Sequence, residues 1–503
     1  MPSFPDLFVS TKETTEAVSR AVAAGTLRRL GGRLYTTNLR ESPELLVRRN
    51  LWRVVALLFP GGIVADRTAL EQRPAQDGSV FIVAPHGGDV DLPGITIRPR
   101  RGADTLPGDY PLRDGLFSSS PARAYLENMR PSRGRSGVPR TLKRVELEEH
   151  LDRVIRERGE VGLNSLRDEV KALAASLGLE AEAAAFDTLC GALLGTREDR
   201  LSSAAGKARR LGQPFDAVRL ARFELLHDEL RRRAPPVGRH LSLAGDAAVH
   251  QAFFEAYFSN FIEGTEFEID EARAIVFEGR IPQERPEDAH DITGTFDLVS
   301  DPAEMVRLPD TAEAFSSLLR ERHARIMQGR PGKRPGQFKE TRNRAGNSTF
   351  VDPADVKGTL SEGFKIYRRL DEPFHRAVFM MFLVSEVHPF DDGNGRVARV
   401  MMNAELAAAG QARIIIPIVY RSNYLEGLKA LTLSDNPETL IRSLDFAQRY
   451  TAAVPWDDID VAIDVLTRTN AFVRPEDGDA QGIRLRIPAA YDLHPEPEGG
   501  PKP

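Results

Sequence analysis

Cysteine is nearly missing: among 503 residues only Cys190 carries a thiol. No intramolecular disulfide can form, which fits a reducing compartment. Cys190 lies in FDTLCGALLG, an apolar helical pattern, and reads as a small buried hydrophobe. Long apolar runs are also missing. The longest near the front, LWRVVALLFPGGIV, is interrupted by Arg53, Pro60 and a glycine pair, and is too short to span a bilayer. The opening MPSFPDLFVS has neither a basic n-region nor an extended apolar core, so no secretory signal is expected. These absences predict a cytoplasmic protein with no membrane partner. Strong net charge is absent too, at -5 overall, which excludes a polyelectrolyte partner of DNA along the whole chain. The charge is uneven, however. Residues 1–60 and 98–140 each hold more Arg and Lys than Asp and Glu, as a nucleic-acid-facing module would. A solvated arginine-rich surface accounts for the same bias.

What is present is 41% hydrophobic and 28% charged, enough chain for two to four domains with sizeable cores. TTEAVSRAVAAGTLRRLGGRLYT (14–36) predicts a short helix, a turn at Gly25 and a hairpin turning at Gly31-Gly32, the outline of a winged helix-turn-helix over 1–50. Residues 51–135 predict a small α/β region. GSVFIVAP (78–85) and GITIRPR (94–100) are β-rich, and SSPARAYLENM (119–129) opens a helix at Ser-Ser-Pro. RPSRGRSGVPR (130–140) and RRRAPPVGRH (231–240) read as connectors flanking a helical region at 141–235. A mostly helical stretch then runs over 241–473, and 474–503 is expected to be a mostly disordered tail. The fold class expected is mainly α.

AAGTLRRLGGRLYTTN, GGIVADRTAL and SSSPARAYLENM make the front of the chain, roughly residues 10–200, resemble the AbiEi-type antitoxin family. That resemblance implies DNA or partner binding near Arg28, Arg29 and Arg33. A scaffold with exposed arginines is the alternative.

The densest chemistry is HPFDDGNGRVAR, 388–399. A helix apolar on nearly all sides, DEPFHRAVFMMFLVSEV (371–387), delivers His388 where Pro389 prevents continuation. A second helix starts in GNGRVARVMMNAELAAAG and closes at Gly410. Its first turn offers unpaired N–H groups and the positive dipole end to an anion. Gly393 and Gly395 permit close backbone approach to a phosphate. Arg396 and Arg399 lie three apart on that helix end, and Asp392 is a hard oxygen ligand suited to Mg²⁺ held with phosphates. His388 titrates near neutrality and can take a hydroxyl proton.

This stretch resembles the Fic family signature HxFx[D/E]GNGRxxR at every fixed position. The resemblance, over roughly 245–450, implies an all-helical core with a small β-hairpin flap. It also implies transfer of AMP from ATP to a Ser, Thr or Tyr hydroxyl of a target protein or of the chain itself. It implies His388 as base, Phe390 packed inward, and Asp392 on Mg²⁺. Asn394 with the Gly393 and Gly395 backbone would hold the α-phosphate, Arg396 the β-phosphate and Arg399 the γ-phosphate. A homodimer is compatible with it.

Upstream, AVHQAFFEAYFSNFIEGTEFEIDEA (248–272) predicts an amphipathic helix. Ser259 and Glu263 share a face, and Gly264 is a natural stop. SNFIEG is similar to the family's inhibitory motif [S/T]xxxE[G/N]. The resemblance implies that Glu263, at the end of an inhibitory helix over 248–264, holds Arg399 away from the γ-phosphate. The same residue serves removal of AMP in some relatives, and the two roles stay open. PGQFKETRNRAGNSTFVDP (335–353) predicts a β-hairpin turning at Ala345-Gly346-Asn347 and resembles the family's target-docking flap. IPIVYRSNYLEGLKAL (416–431) places Asn423 and Tyr424 where relatives line an adenine pocket. The function expected is an autoinhibited, Mg²⁺-dependent protein adenylyltransferase. The competing class is a DNA-binding regulator whose Fic region senses nucleotide without turnover.

Overall fold

Gly25 and Gly32 adopt φ values of 68° and 54°, and the first sixty residues turn where these glycines permit it. Helix Thr15–Ala23 precedes Gly25, and strands Arg28–Gly31 and Leu34–Thr36 pair across the Gly32 turn. Strand Leu7–Val9 adds to the far side, giving an antiparallel three-stranded sheet. The three arginines of this segment do different things. Arg28 donates to the carbonyls of Leu39 and Glu41, and Arg29 donates to the Gly32 carbonyl. Arg33 is exposed.

The computed structural model describes residues 4–85, 87–133, 137–234, 236, 239–346 and 348–488. It divides into two units, Met1–Gly212 and Gln213–Pro503. The first continues into a six-stranded mixed sheet. Its strand order is Val90–Leu92, Ile95–Arg100, Ser79–Val83, Ile63–Val64, Phe117–Ser118, Tyr110–Pro111. Helix Pro121–Asn128 starts under a Ser120 cap that accepts from the Arg123 N–H at 3.2 Å. The Arg123 guanidinium is fully buried, and Asp109 and Glu127 neutralise it. Helices Arg144–Leu177 and Glu180–Leu193 complete the unit around a core that includes buried Cys190.

The second unit is all helical apart from one small hairpin. At its centre helix Pro373–Val387 is buried on nearly every side, as its largely apolar sequence requires, and it packs along Asn394–Ala408. Helices Asp246–Ile262, Pro286–Val299, Ala312–Ile326, Val356–Tyr367, Arg421–Ser434 and Glu438–Ala453 surround this pair. Strands Arg344–Ala345 and Ser348–Thr349 form the hairpin. Its turn residue Asn347 lies outside the described residues, as do parts of the two expected connectors. No helix among the described residues is long and apolar enough to cross a membrane.

Two boundaries differ from the sequence reading. The helical region expected at 141–235 is divided at Gly212, because helix Ala217–Arg232 belongs to the second unit. Its Phe223 ring meets those of Phe379 and Phe382, both at 6.0 Å, so the apolar face of this helix is spent on the central helix. The tail expected to be disordered from 474 begins with helix Pro475–Gln481. Pro475 is buried, Gly478 sits against Val419, and Leu485 reaches the core; residues 489–503 lie outside the described residues. Ending the chain at Arg474 is therefore expected to destabilise the second unit by about 2–4 kcal/mol, from the apolar area returned to water. Urea denaturation of the truncated and full chains measures it; equal midpoints would refute the packing role.

Candidate active site

Pro389 ends the central helix, and His388 turns the chain there in a left-handed conformation, φ 51° and ψ 60°. Its N–H still donates to the Val384 carbonyl at 3.0 Å, while Nδ1 lies 3.4 Å from the Ser385 carbonyl. The imidazole stacks on Phe350 at 3.7 Å and 6°. Burial, aided by the nearby Lys339 charge, lowers the His388 pKa to about 4. At neutral pH the ring is uncharged and able to accept a proton.

The following loop satisfies itself. Phe390 is fully buried and stacks on His323 at 3.7 Å. Asn394 accepts from the Phe390 N–H and donates to its carbonyl, both at 2.9 Å. Both ends of the Asn394 amide thereby help to close the loop, and since an amide nitrogen carries two hydrogens this bond uses only one of them. Gly393 has φ 71°, and a Cβ there would come within 2.6 Å of Met327 Sδ. Its absence of side chain serves loop packing first. What the loop still presents to an anion is the first turn of Asn394–Ala408.

Glu263 lies across that turn. It caps helix Asp246–Ile262, and Gly264 leads the chain away at φ 92°. A Cβ on Gly395 would come within 2.1 Å of Glu263 Oε1, so only glycine admits the carboxylate. The same oxygen accepts from Arg399 at 2.8 Å. Arg399 also donates to the Ser259 hydroxyl at 2.9 Å and to the Ser259 carbonyl at 2.8 Å. Burial opposes the Arg399 charge, and Glu263 more than offsets it, so the guanidinium pKa is raised. Buried Ser259 and Arg399 and the partly exposed Glu263 carboxylate thus form one cluster that occupies an anion's place at a helix N-terminus.

Arg396 faces elsewhere. Its guanidinium pairs with Asp291 at 2.5 Å, and Asp291 is fully buried and shared with Arg330 at 2.8 Å. Arg396 is off the wall of the cavity at His388, while its Nη2 lies 3.8 Å from Asp392 Oδ1. That cavity holds about 290 Å³, and His388, Phe350, Glu263, Gly395, Arg399 and Tyr424 are on its wall. Asn423 is exposed and off that wall, whereas Tyr424, the next residue of the helix, is on it. Asp392 is half-exposed, with Oδ1 accepting the Gly393 N–H at 2.7 Å. Its neighbour Asp391 is committed to Arg334 at 2.9 Å. One open carboxylate beside a phosphate-sized anion site suits Mg²⁺, which keeps waters and takes one or two protein oxygens.

Three residues escaped the sequence reading. Asp291 shares a helical face with Gly294 and Leu298, and His323 shares one with Leu319 and Ile326; a polar residue on an apolar face was the available signal. Phe350 carried none, because one aromatic after a short strand is unremarkable.

Two expectations follow from this geometry. Glu263→Gly leaves the Arg399 guanidinium buried without its carboxylate, and is expected to cost about 1–3 kcal/mol of stability. Differential scanning with and without ATP tests it: ATP is expected to restore the variant's midpoint more than it raises the parent's. The second concerns pH. The His323 pKa is also lowered to about 4 by burial, and its Nδ1 accepts the Gly336 N–H at 2.9 Å while Nε2 faces the Asp392 carbonyl at 2.9 Å. Between pH 6.5 and 4 the unfolded chain binds protons that these two native imidazoles refuse. Their stabilisation is complete above pH 6.5 and is lost as pH falls toward 4. Urea midpoints across that window should fall, and less steeply in His323→Gln; identical slopes would contradict the assignment.

Residues 315–406 match the model of the Fic/DOC family. The chain is similar to the protein adenylyltransferase Fic of Drosophila grimshawi, 26% identical over 200 residues, 38% of this chain and 41% of that protein. It is similar to protein adenylyltransferase fic-1 of Caenorhabditis elegans, 26% identical over 199 residues, 36% of this chain and 37% of that protein. The chain therefore spans about two fifths of the length of the curated relatives it matches. Among solved structures, C. elegans Fic-1 aligns at 17% identity and TM-score 0.35, covering 64% of this chain and 88% of that one. IbpAFic2 in complex with adenylylated Cdc42 aligns at 14% identity and TM-score 0.31, covering 60% and 87%.

Proposed function

We propose that this chain is a Mg²⁺-dependent protein adenylyltransferase restrained by its own Glu263. The observation that carries the reading is a neutral imidazole on the same cavity wall as an arginine-lined helix N-terminus. The Fic/DOC match over 315–406 and the activity named for the curated relatives support the same reaction class.

ATP is the donor. Its triphosphate lies at the first turn of Asn394–Ala408, with Arg399 on the terminal phosphate once Glu263 withdraws. Asp392 would hold Mg²⁺, which would supply charge neutralisation at the phosphates. A Ser, Thr or Tyr hydroxyl of a target protein, or of the chain itself, gives its proton to His388. Its oxygen then bonds to the α-phosphorus, and the bond to the departing pyrophosphate breaks. The protein's contribution is alignment and charge stabilisation, for which fixed N–H groups and a buried guanidinium are suited. With Glu263 on Arg399, a carboxylate and a phosphate oxygen compete for one guanidinium edge, and turnover is suppressed.

Incubation with ATP labelled at the α-phosphorus and Mg²⁺ tests this on the full chain. Glu263→Gly is expected to raise protein labelling about tenfold or more, the equivalent of one charge-assisted hydrogen bond. Adding His388→Ala to that variant is expected to lower it about a hundredfold or more. Labelling that survives the loss of His388 would sink the proposal.

A further inference from the structure

Hydrogen bonding alone does not hold the His388 ring. Its single polar contact, Nδ1 to the Ser385 carbonyl, is 3.4 Å long, beyond the range of a strong bond. Backbone conformation leaves the ring's rotation about χ2 loosely specified. The close, well-aligned contact is with Phe350, whose ring lies parallel at 3.7 Å and 6°.

Phe350 follows directly on hairpin strand Ser348–Thr349, and it is braced against the loop that carries the base. Its N–H donates to the Asn343 carbonyl at 3.3 Å. The Asn343 side chain donates to the Phe390 carbonyl at 3.0 Å and accepts from the Lys339 ammonium at 2.7 Å. The Lys339 N–H donates to the Pro389 carbonyl at 2.9 Å. Arg219, on helix Ala217–Arg232, donates to the Thr349 carbonyl. The ring is therefore tied to the carbonyls of Pro389 and Phe390, the two residues that follow His388. Imidazole, loop, hairpin foot and phenyl ring close one frame. Lys339 is 3% exposed, so this brace is part of the interior.

We propose that Phe350 is a positioning residue for His388: braced through Asn343 and Lys339, its ring fixes the imidazole plane so that Nδ1 meets the Ser385 carbonyl and Nε2 meets the acceptor hydroxyl. Phe350 supplies neither charge nor proton. It covers one face of the base, while Nε2 accepts in the plane of the ring. This inference rests on the adenylyltransferase reading for its kinetic part only. The charged groups facing His388 are Lys339 from the hairpin foot, Glu263 from the inhibitory helix and Asp392 from the loop. Lys339 also lies over the Phe350 ring, 5.9 Å from its centroid, a contact that Phe350→Tyr keeps and Phe350→Ala removes.

The test uses the full chain in the Glu263→Gly background. Phe350→Ala is expected to lower kcat about tenfold with the KM for ATP within about twofold, and Phe350→Tyr to restore most of kcat. An unchanged kcat, or a raised KM alone, would overturn the proposal. A second measurement needs no turnover. In histidine-labelled protein without ATP, the His388 ring protons, assigned with His388→Ala, should carry a ring-current shift. Phe350→Leu should abolish that shift and Phe350→Tyr retain it; His388 resonances unmoved by Phe350→Leu would overturn it. If Glu263→Gly shows no transfer at all, the adenylyltransferase reading fails, whereas the resonance shift still decides whether Phe350 holds the ring.

Discussion

A guanidinium N–H that serves a carboxylate is not open to a phosphate, and Arg399 Nη2 donates to one carboxylate oxygen of Glu263 at 2.8 Å while Ser259 holds its Nε. The rest of the candidate site is arranged around that fact. Glu263 ends a helix whose carbonyl dipole disfavours a negative charge, yet it lies against the start of another helix whose dipole favours one. The second interaction, together with Arg399, outweighs the first. Gly395 is required because any side chain would occupy the carboxylate's place. A substrate phosphate would meet the same helix start and the same arginine.

A site that waits for an anion must hold its shape without one. The loop after His388 does so by closing its own hydrogen bonds. Asn394 clamps Phe390, His323 supports both the Phe390 ring and the Asp392 carbonyl, and Asp291 neutralises Arg396. These groups are buried, and each would be costly to leave unpaired. Residues that a motif invites one to read as ligands are in part the loop's own scaffold. The groups on the cavity wall include the imidazole, the Gly395 end of the helix, Glu263, Arg399 and Tyr424.

The two units differ in how they neutralise charge. In the first, Arg123 of helix Pro121–Asn128 pairs with Asp109 out of contact with solvent, and Arg28 is spent on backbone carbonyls. The charges there brace the fold. In the second, the Glu263–Arg399 pair borders open space, so the same type of ion pair is exchangeable.

Short-range features were legible in the sequence. The apolar run at 371–387 had to be a buried helix, Pro389 had to end it, and the hairpins at Gly31-Gly32 and 344–349 followed from turn residues. Ser259 and Glu263 fell on one helix face by their spacing, and Gly264 marked its end. All of these depend on neighbours within a few positions, where backbone sterics and helical periodicity decide the outcome. Tertiary structure alone decided which partner each polar group met: Arg396 turned to Asp291, Asn394 to its own loop, Asn423 outward, and Phe350 onto His388. It also decided that helix Ala217–Arg232 and helix Pro475–Gln481 join the second unit. A guanidinium or an aromatic ring has several partners of similar worth, and the choice among them is made by which distant helix packs within a few ångströms.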